Sequence, residues 1–128
     1  MNRLMVFLDA IRDHLDLHDL PPAGLVTVST WSEPIAVQLD VTDLSAVAAG
    51  LLRWVSSLDD VAASLWRPRS SARVHLIVDG RTPCGVPVKV YGAVPFDPNT
   101  FPDLPVGDTQ PMPVHLLRSW TTPGEVAA

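Results

Sequence analysis

Cysteine is nearly missing: Cys84 is alone among 128 residues, so no disulfide within the chain holds the fold together. Lysine is as scarce, with Lys89 beside eight arginines. The seven glycines are scattered singly, and no G-x-x-x-x-G-K-[ST], G-x-G-x-x-G or G-x-S-x-G stretch occurs. The chain therefore carries no signature of a phosphate-cradling loop or a nucleophile elbow. H-E-x-x-H and paired C-x-x-C are absent as well, and no cofactor is called for. The longest uncharged run, residues 20–32, spans 13 positions and includes Pro21, Pro22 and Gly24. A membrane-crossing helix needs about 20 apolar residues. Near the N-terminus only Leu4 to Leu8 is continuously apolar before Asp9, too short for a signal-peptide core. A cytoplasmic protein without membrane contact is expected.

What is present suits one domain. Hydrophobic residues make up 47% and charged residues 18%, too apolar for a disordered chain and enough for one core. Scarce Lys, Ile and Asn beside plentiful Ala, Val and Asp is the skew that GC-rich codons produce, and it points to a high-GC bacterial genome of the actinobacterial kind. The net charge of -5 is unevenly placed. Residues 1–64 hold three Arg against eight Asp and one Glu, whereas residues 65–128 hold six cations against five carboxylates. The overall balance speaks against non-specific nucleic-acid binding, which rests on basic surface.

Leu4, Leu8, Ile11 and Leu15 form one stripe of an amphipathic helix over residues 3–18, stopped by Pro21 and Pro22. Leu25 to Trp31 and Ile35 to Val41 read as a hairpin, the second arm alternating cleanly. Thr42 is the expected N-cap of a second helix, carried by Leu44, Val47, Ala48, Leu51, Leu52, Val55 and Leu58, with Asp59-Asp60 marking its end. Strands are expected at 61–67, 72–79 and 86–94. Residues 1–94 then make the body of a single α+β domain. Residues 95–128 make an arm with six prolines between Pro95 and Pro113 and a short helix near 114–120, packed on the same domain.

The fold class expected is α+β, a two-layer sandwich in the order α-β-β-α-β-β-β(-α). A mainly antiparallel five-stranded sheet would carry two helices on one face. That element order resembles the roadblock/LC7 and profilin-like domains. The general look, a compact high-GC domain without catalytic motifs, resembles accessory proteins of actinobacterial genomes and their mobile elements.

Chemistry is thin. His14 and His18, four apart, share a helix face as zinc ligands do, with Asp13, Asp16 and Asp19 nearby, but two histidines without a third ligand are better read as surface groups near a helix C-terminus. Cys84, in a Thr-Pro-Cys-Gly turn, lacks the base and orienting group of a thiol nucleophile unless the turn folds back on His75. Trp54 falls beside the helix-two stripe and belongs either against helix one or in a homodimer interface.

The richest stretch runs from Trp66 to Tyr91, where Arg67, Arg69, Arg73, Arg81 and Lys89 stand against Asp79 alone. Strand parity sends Arg73, His75, Lys89 and Tyr91 to the face away from the helices, with Trp66 beside them and Arg67 next in sequence. Such a surface anchors a protein partner or stacks bases and holds phosphates, unless the Pro-rich arm covers it. The first expectation is a small non-enzymatic adaptor meeting a protein partner, or a second copy of itself, through Trp66, Arg67, Arg73, His75, Lys89 and Tyr91. Nucleic-acid binding by the same face is the second. The third is a small-molecule enzyme or binder with a pocket under the arm, using His75, Tyr91, His115 and Asp97.

Overall fold

The computed structural model describes residues 2–69 and 72–121; the tail after Thr121 lies outside them. Asn2 opens helix α1, Arg3–Leu17, its Oδ1 accepting from the Leu4 amide at 2.9 Å. Strands β1 (Ala23–Val28) and β2 (Ile35–Leu39) follow as an antiparallel hairpin. Helix α2, Leu44–Val55, starts one residue later than Thr42 suggested. Asp43 is the cap, its Oδ2 accepting from the Ala46 amide at 3.1 Å and from Ser45 Oγ at 3.0 Å. Those two bonds hold the Asp43 carboxyl below its usual range, the amide contributing most.

The helix also ends earlier than its apolar period. Ser56 and Ser57 donate their hydroxyls back to the carbonyls of Arg53 and Trp54, satisfying the last orphan acceptors and releasing the chain. Asp59 and Asp60 therefore open β3 (Asp59–Trp66) and do not close α2. Asp60 takes φ +53° at a bulge between β3 and β4, Arg73–Arg81. β5 (Pro87–Pro95) completes an antiparallel meander.

Among the described residues the sheet has six strands, not five, in the order β1-β2-β5-β4-β3-β6. It is mixed: β2 and β5 are parallel, and every other neighbour is antiparallel. The unexpected strand, β6 (Thr109–Met112), comes from the Pro-rich arm and pairs with β3. Its prolines hid it, and the pairing explains how they are tolerated. The Arg67 amide donates to Asp108, so alternation turns the nitrogens of Pro111 and Pro113 to the outside, where no ladder bond is lost. A five-residue helix, α3 (Leu116–Trp120), ends the described chain and packs on α2.

One face of the sheet builds the core. Ile35, Val37, Val74, Leu76, Val78, Val88, Val90 and Val94 are fully buried against Val47, Leu51 and Trp54 of α2 and Leu117 of α3. α1 joins this layer through a different stripe from the one its leucines suggested. Ile11 and His14 are buried, with Leu4, Phe7 and Ala10 partly so, while Leu8 and Leu15 remain exposed. His14 decides the rotation. Its ring stacks on Trp54 at 5.5 Å, and its Nε2 is 2.9 Å from Ser57 Oγ. Because the Ser57 hydroxyl already donates to Trp54, His14 supplies the N–H of that contact.

The arm joins the same core. Asp97 closes its first turn by accepting from the amides of Asn99, Thr100 and Phe101, and Phe101 and Leu104 sink into the core cluster.

Candidate functional site

Side chains alternate across a strand, so the meander leaves one set of residues on the face without helices. There Trp66 is paired with His75, Ile77 with Tyr91, and Tyr91 with Gln38 of β2. The Trp66 ring meets His75 edge-on at 4.9 Å, and His75 stacks on Tyr91 at 5.5 Å with the planes 5° apart. Tyr91 donates its hydroxyl to Gln38 Oε1 at 3.4 Å. This diagonal row crosses four strands. It shields Ile77, 6% exposed although it lies outside the main core cluster. Ser64, Trp66, Ile77, Asp79, Lys89 and Thr109 line a shallow hollow of about 350 Å³ beside the row. Trp66 keeps 38% of its surface in solvent. The arm buries Phe101 and Leu104 in the helix-side core and leaves this row accessible.

The electrostatics are more balanced than the sequence implied. Lys89 Nζ donates to Glu33 Oε1 at 3.5 Å and lies opposite Asp79 in the β4–β5 register. Desolvation lowers the His75 pKa, and the Lys89 charge lowers it further, so the stacked imidazole is neutral near pH 7. Desolvation raises the Asp79 carboxyl, an effect that Lys89 opposes and Glu33 reinforces.

Four of the six expected surface residues, Trp66, His75, Lys89 and Tyr91, thus fall together. Arg73 is exposed at the start of β4, with the parity of His75. Arg67 is elsewhere. Its guanidinium lies 3.6 Å over the Phe96 ring and donates to the Leu104 carbonyl at 3.0 Å, so it ties down the arm. Gln38, Glu33 and Thr109 were missed as members of the face. The alternation of β2 marks Gln38 as outward, but nothing local reveals that β2 lies beside β5.

The other candidates disperse. Cys84 is exposed at the β4–β5 turn, its Sγ 3.1 Å from Thr82 Oγ1. His75 lies near the opposite end of β4, opposite Ala93; at about 3.3 Å per residue the two are far apart. His14 and His18 do approach, their rings 4.4 Å apart. Among the described residues no group of three or more His, Cys, Asp or Glu could hold a metal ion. His115 is exposed at the start of α3 on the helix side, and Asp97 is occupied by its turn, so neither joins His75 and Tyr91. Trp54 is fully buried against α1. No helix among the described residues is long and apolar enough to cross a membrane.

The fold and this face define a two-layer α+β protein with an accessible aromatic surface. No protein-family model matches the chain, and no curated protein or solved structure does either. The element order that suggested roadblock/LC7 and profilin-like domains is interrupted by β6 before α3, and no comparison supports that resemblance.

Proposed function

We propose that this chain is a small non-enzymatic adaptor of the cytoplasm that grips a protein partner through the Trp66–His75–Tyr91 row, with Lys89 and Arg73 at its margin. The observation that carries the reading is the row itself: three rings in contact on a helix-free sheet face, Trp66 edge-on to His75 and His75 stacked on Tyr91, with Trp66 well exposed. Exposed aromatic clusters with a few charges around them are the usual anchors of protein interfaces. Charge favours this over the nucleic-acid alternative, since Lys89 pairs with Glu33 and lies opposite Asp79, and Arg67 is committed to the arm.

The test compares wild type with Trp66→Ala and Tyr91→Ala as bait in a lysate, followed by titration of any captured protein. Loss of an anchor of this kind costs about 2 kcal/mol or more, roughly thirtyfold in Kd. A partner that binds wild type and both variants equally overturns the assignment of the face. Salt-sensitive binding of short single strands by wild type, lost in Trp66→Ala, would put nucleic acid in the partner's place.

A further inference from the structure

The two edges of the sheet are treated differently by the sequence. At the β6 edge, Pro111 and Pro113 remove outward donors, a common way of blunting an edge. The β1 edge is bulged at its start, between Ala23 and Leu25, and pairs regularly from there to Val28. Its strand, Ala23–Val28, contains neither proline nor charge, and it ends the strand order. The Ser29 amide donates to the Pro34 carbonyl. By alternation, the amides and carbonyls of Val26 and Val28 point away from β2, to the outside.

Apolar exposure gathers at the same edge. Among the described residues nine large hydrophobic side chains are exposed, and five of them, Met5, Leu8, Leu15, Leu25 and Trp31, lie on the β1 side of α1, on β1 or in the turn after it. Among them Trp31 is 80% exposed and Leu25 54%. Between α1 and β1 runs a groove of about 490 Å³ floored by Met5, Leu8, Leu15 and Val26 and rimmed by Asp9, Arg12 and Asp16. A regular, uncharged stretch of strand edge beside an apolar helix face is a surface built to be covered.

We propose that a second copy of this chain covers it, the two β1 strands pairing antiparallel about a two-fold axis at Thr27. This rests on the edge and on α1, and it is independent of the adaptor face. An antiparallel pair centred on Thr27 brings Val26 opposite Val28 on both sides of the axis. Their outward amides and carbonyls then satisfy one another in two reciprocal pairs. An isologous contact sets each surface against itself, so it suits a strand without charge, where no like charges meet.

Sedimentation equilibrium in the micromolar range tests the proposal. Wild type is expected at twice the 13.9 kDa chain mass. Thr27→Lys, at an exposed position whose change leaves the core intact, places two ammonium groups together at the axis and is expected to return the protein to monomer with unchanged circular dichroism. In a Cys84→Ser background, Thr27→Cys is expected to form an inter-chain disulfide on mild oxidation, because non-hydrogen-bonded antiparallel pairs bring Cα atoms to about 4.5 Å, within disulfide reach. Thr30→Cys in the same background is not expected to do so. A monomeric wild type overturns the proposal. A dimer that survives Thr27→Lys and fails to cross-link through Thr27→Cys overturns it equally.

Discussion

At Gly92 of β5 the sheet comes so close to α2 that a side chain of any size collides. A Cβ built there would lie 2.7 Å from Val47 Cγ1 and 3.0 Å from Val47 Cγ2. Carbon atoms prefer about 3.5–4.0 Å, so Gly92→Ala forces one side to give by roughly 1 Å. Val47 cannot swing aside, since a valine in a helix is held in one χ1 rotamer about 90% of the time. α2 must lift off the sheet instead, and overpacking of this kind costs about 1–3 kcal/mol. Val47→Ala alone removes two buried methyl groups, about 1.6 kcal/mol by area plus a cavity term.

The double variant Gly92→Ala/Val47→Ala puts the new methyl into the space the old ones left. It should therefore be less destabilised than the two singles together by about 1–2 kcal/mol, a coupling typical of touching residues. Urea titrations followed by tryptophan fluorescence, with slopes equal across the set, measure all three differences. A Gly92→Ala protein as stable as wild type, or strictly additive singles, would refute the helix–sheet packing described above.

Acid is expected to weaken the protein through its histidines. Burial, and then His18, lowers the His14 pKa below the ordinary 6.5, and His75 is lowered as well. The unfolded chain takes up these protons near pH 6.5 and the folded chain only at lower pH. Stability is thus complete above 6.5 and falls on acidification toward the folded values, at up to about 1.4 kcal/mol per pH unit per proton. In pH-dependent melting His14→Phe should flatten this decline, and an unchanged slope would remove His14 as a source. Arg67→Ala deprives the arm of its stacking and hydrogen bond, so limited proteolysis between residues 98 and 108 should quicken; an unaltered cleavage pattern would show that the arm is held otherwise. Asp43→Ala removes the α2 cap and should cost about 1 kcal/mol, whereas Thr42→Ala should cost little, and a reversed ranking in urea titrations would restore Thr42 as the cap.

Local pattern carried most of the fold. Alternation in Ile35–Val41 and Arg73–Asp79, and the helical spacing from Leu44 to Val55, gave elements within a few residues of those observed. Pattern failed where the deciding contact was distant. The apolar residues of α1 surround the helix, and only the stacking of His14 on Trp54 selects the buried stripe. β6 has no alternation of apolar and polar residues, and becomes a strand because β3 offers an edge. Parity alone brought Trp66, His75, Lys89 and Tyr91 to one face. The same parity turns Arg67 the other way, toward Phe96, and the run of positive charge in the sequence concealed that.

The parallel join of β2 to β5 has a kinetic consequence. On one side of it lies the β1–β2 hairpin and on the other the β3–β4–β5 meander, each pairing strands close in sequence; the other long-range pairing, β6 on β3, sits at the far edge. At the join, Ile35 lies opposite Val88, 53 positions further along. Closing a loop of that length costs about 3.5 kcal/mol of chain entropy, against far less for either hairpin. The β1–β2 hairpin and the β3–β4–β5 meander can therefore each form early, while the seam waits for both. Changes at the seam, such as Val37→Ala or Val90→Ala, should speed unfolding more than they slow folding. The sheet zips within its hairpin and its meander, and the long-range joins, at the middle and at β6, weld last.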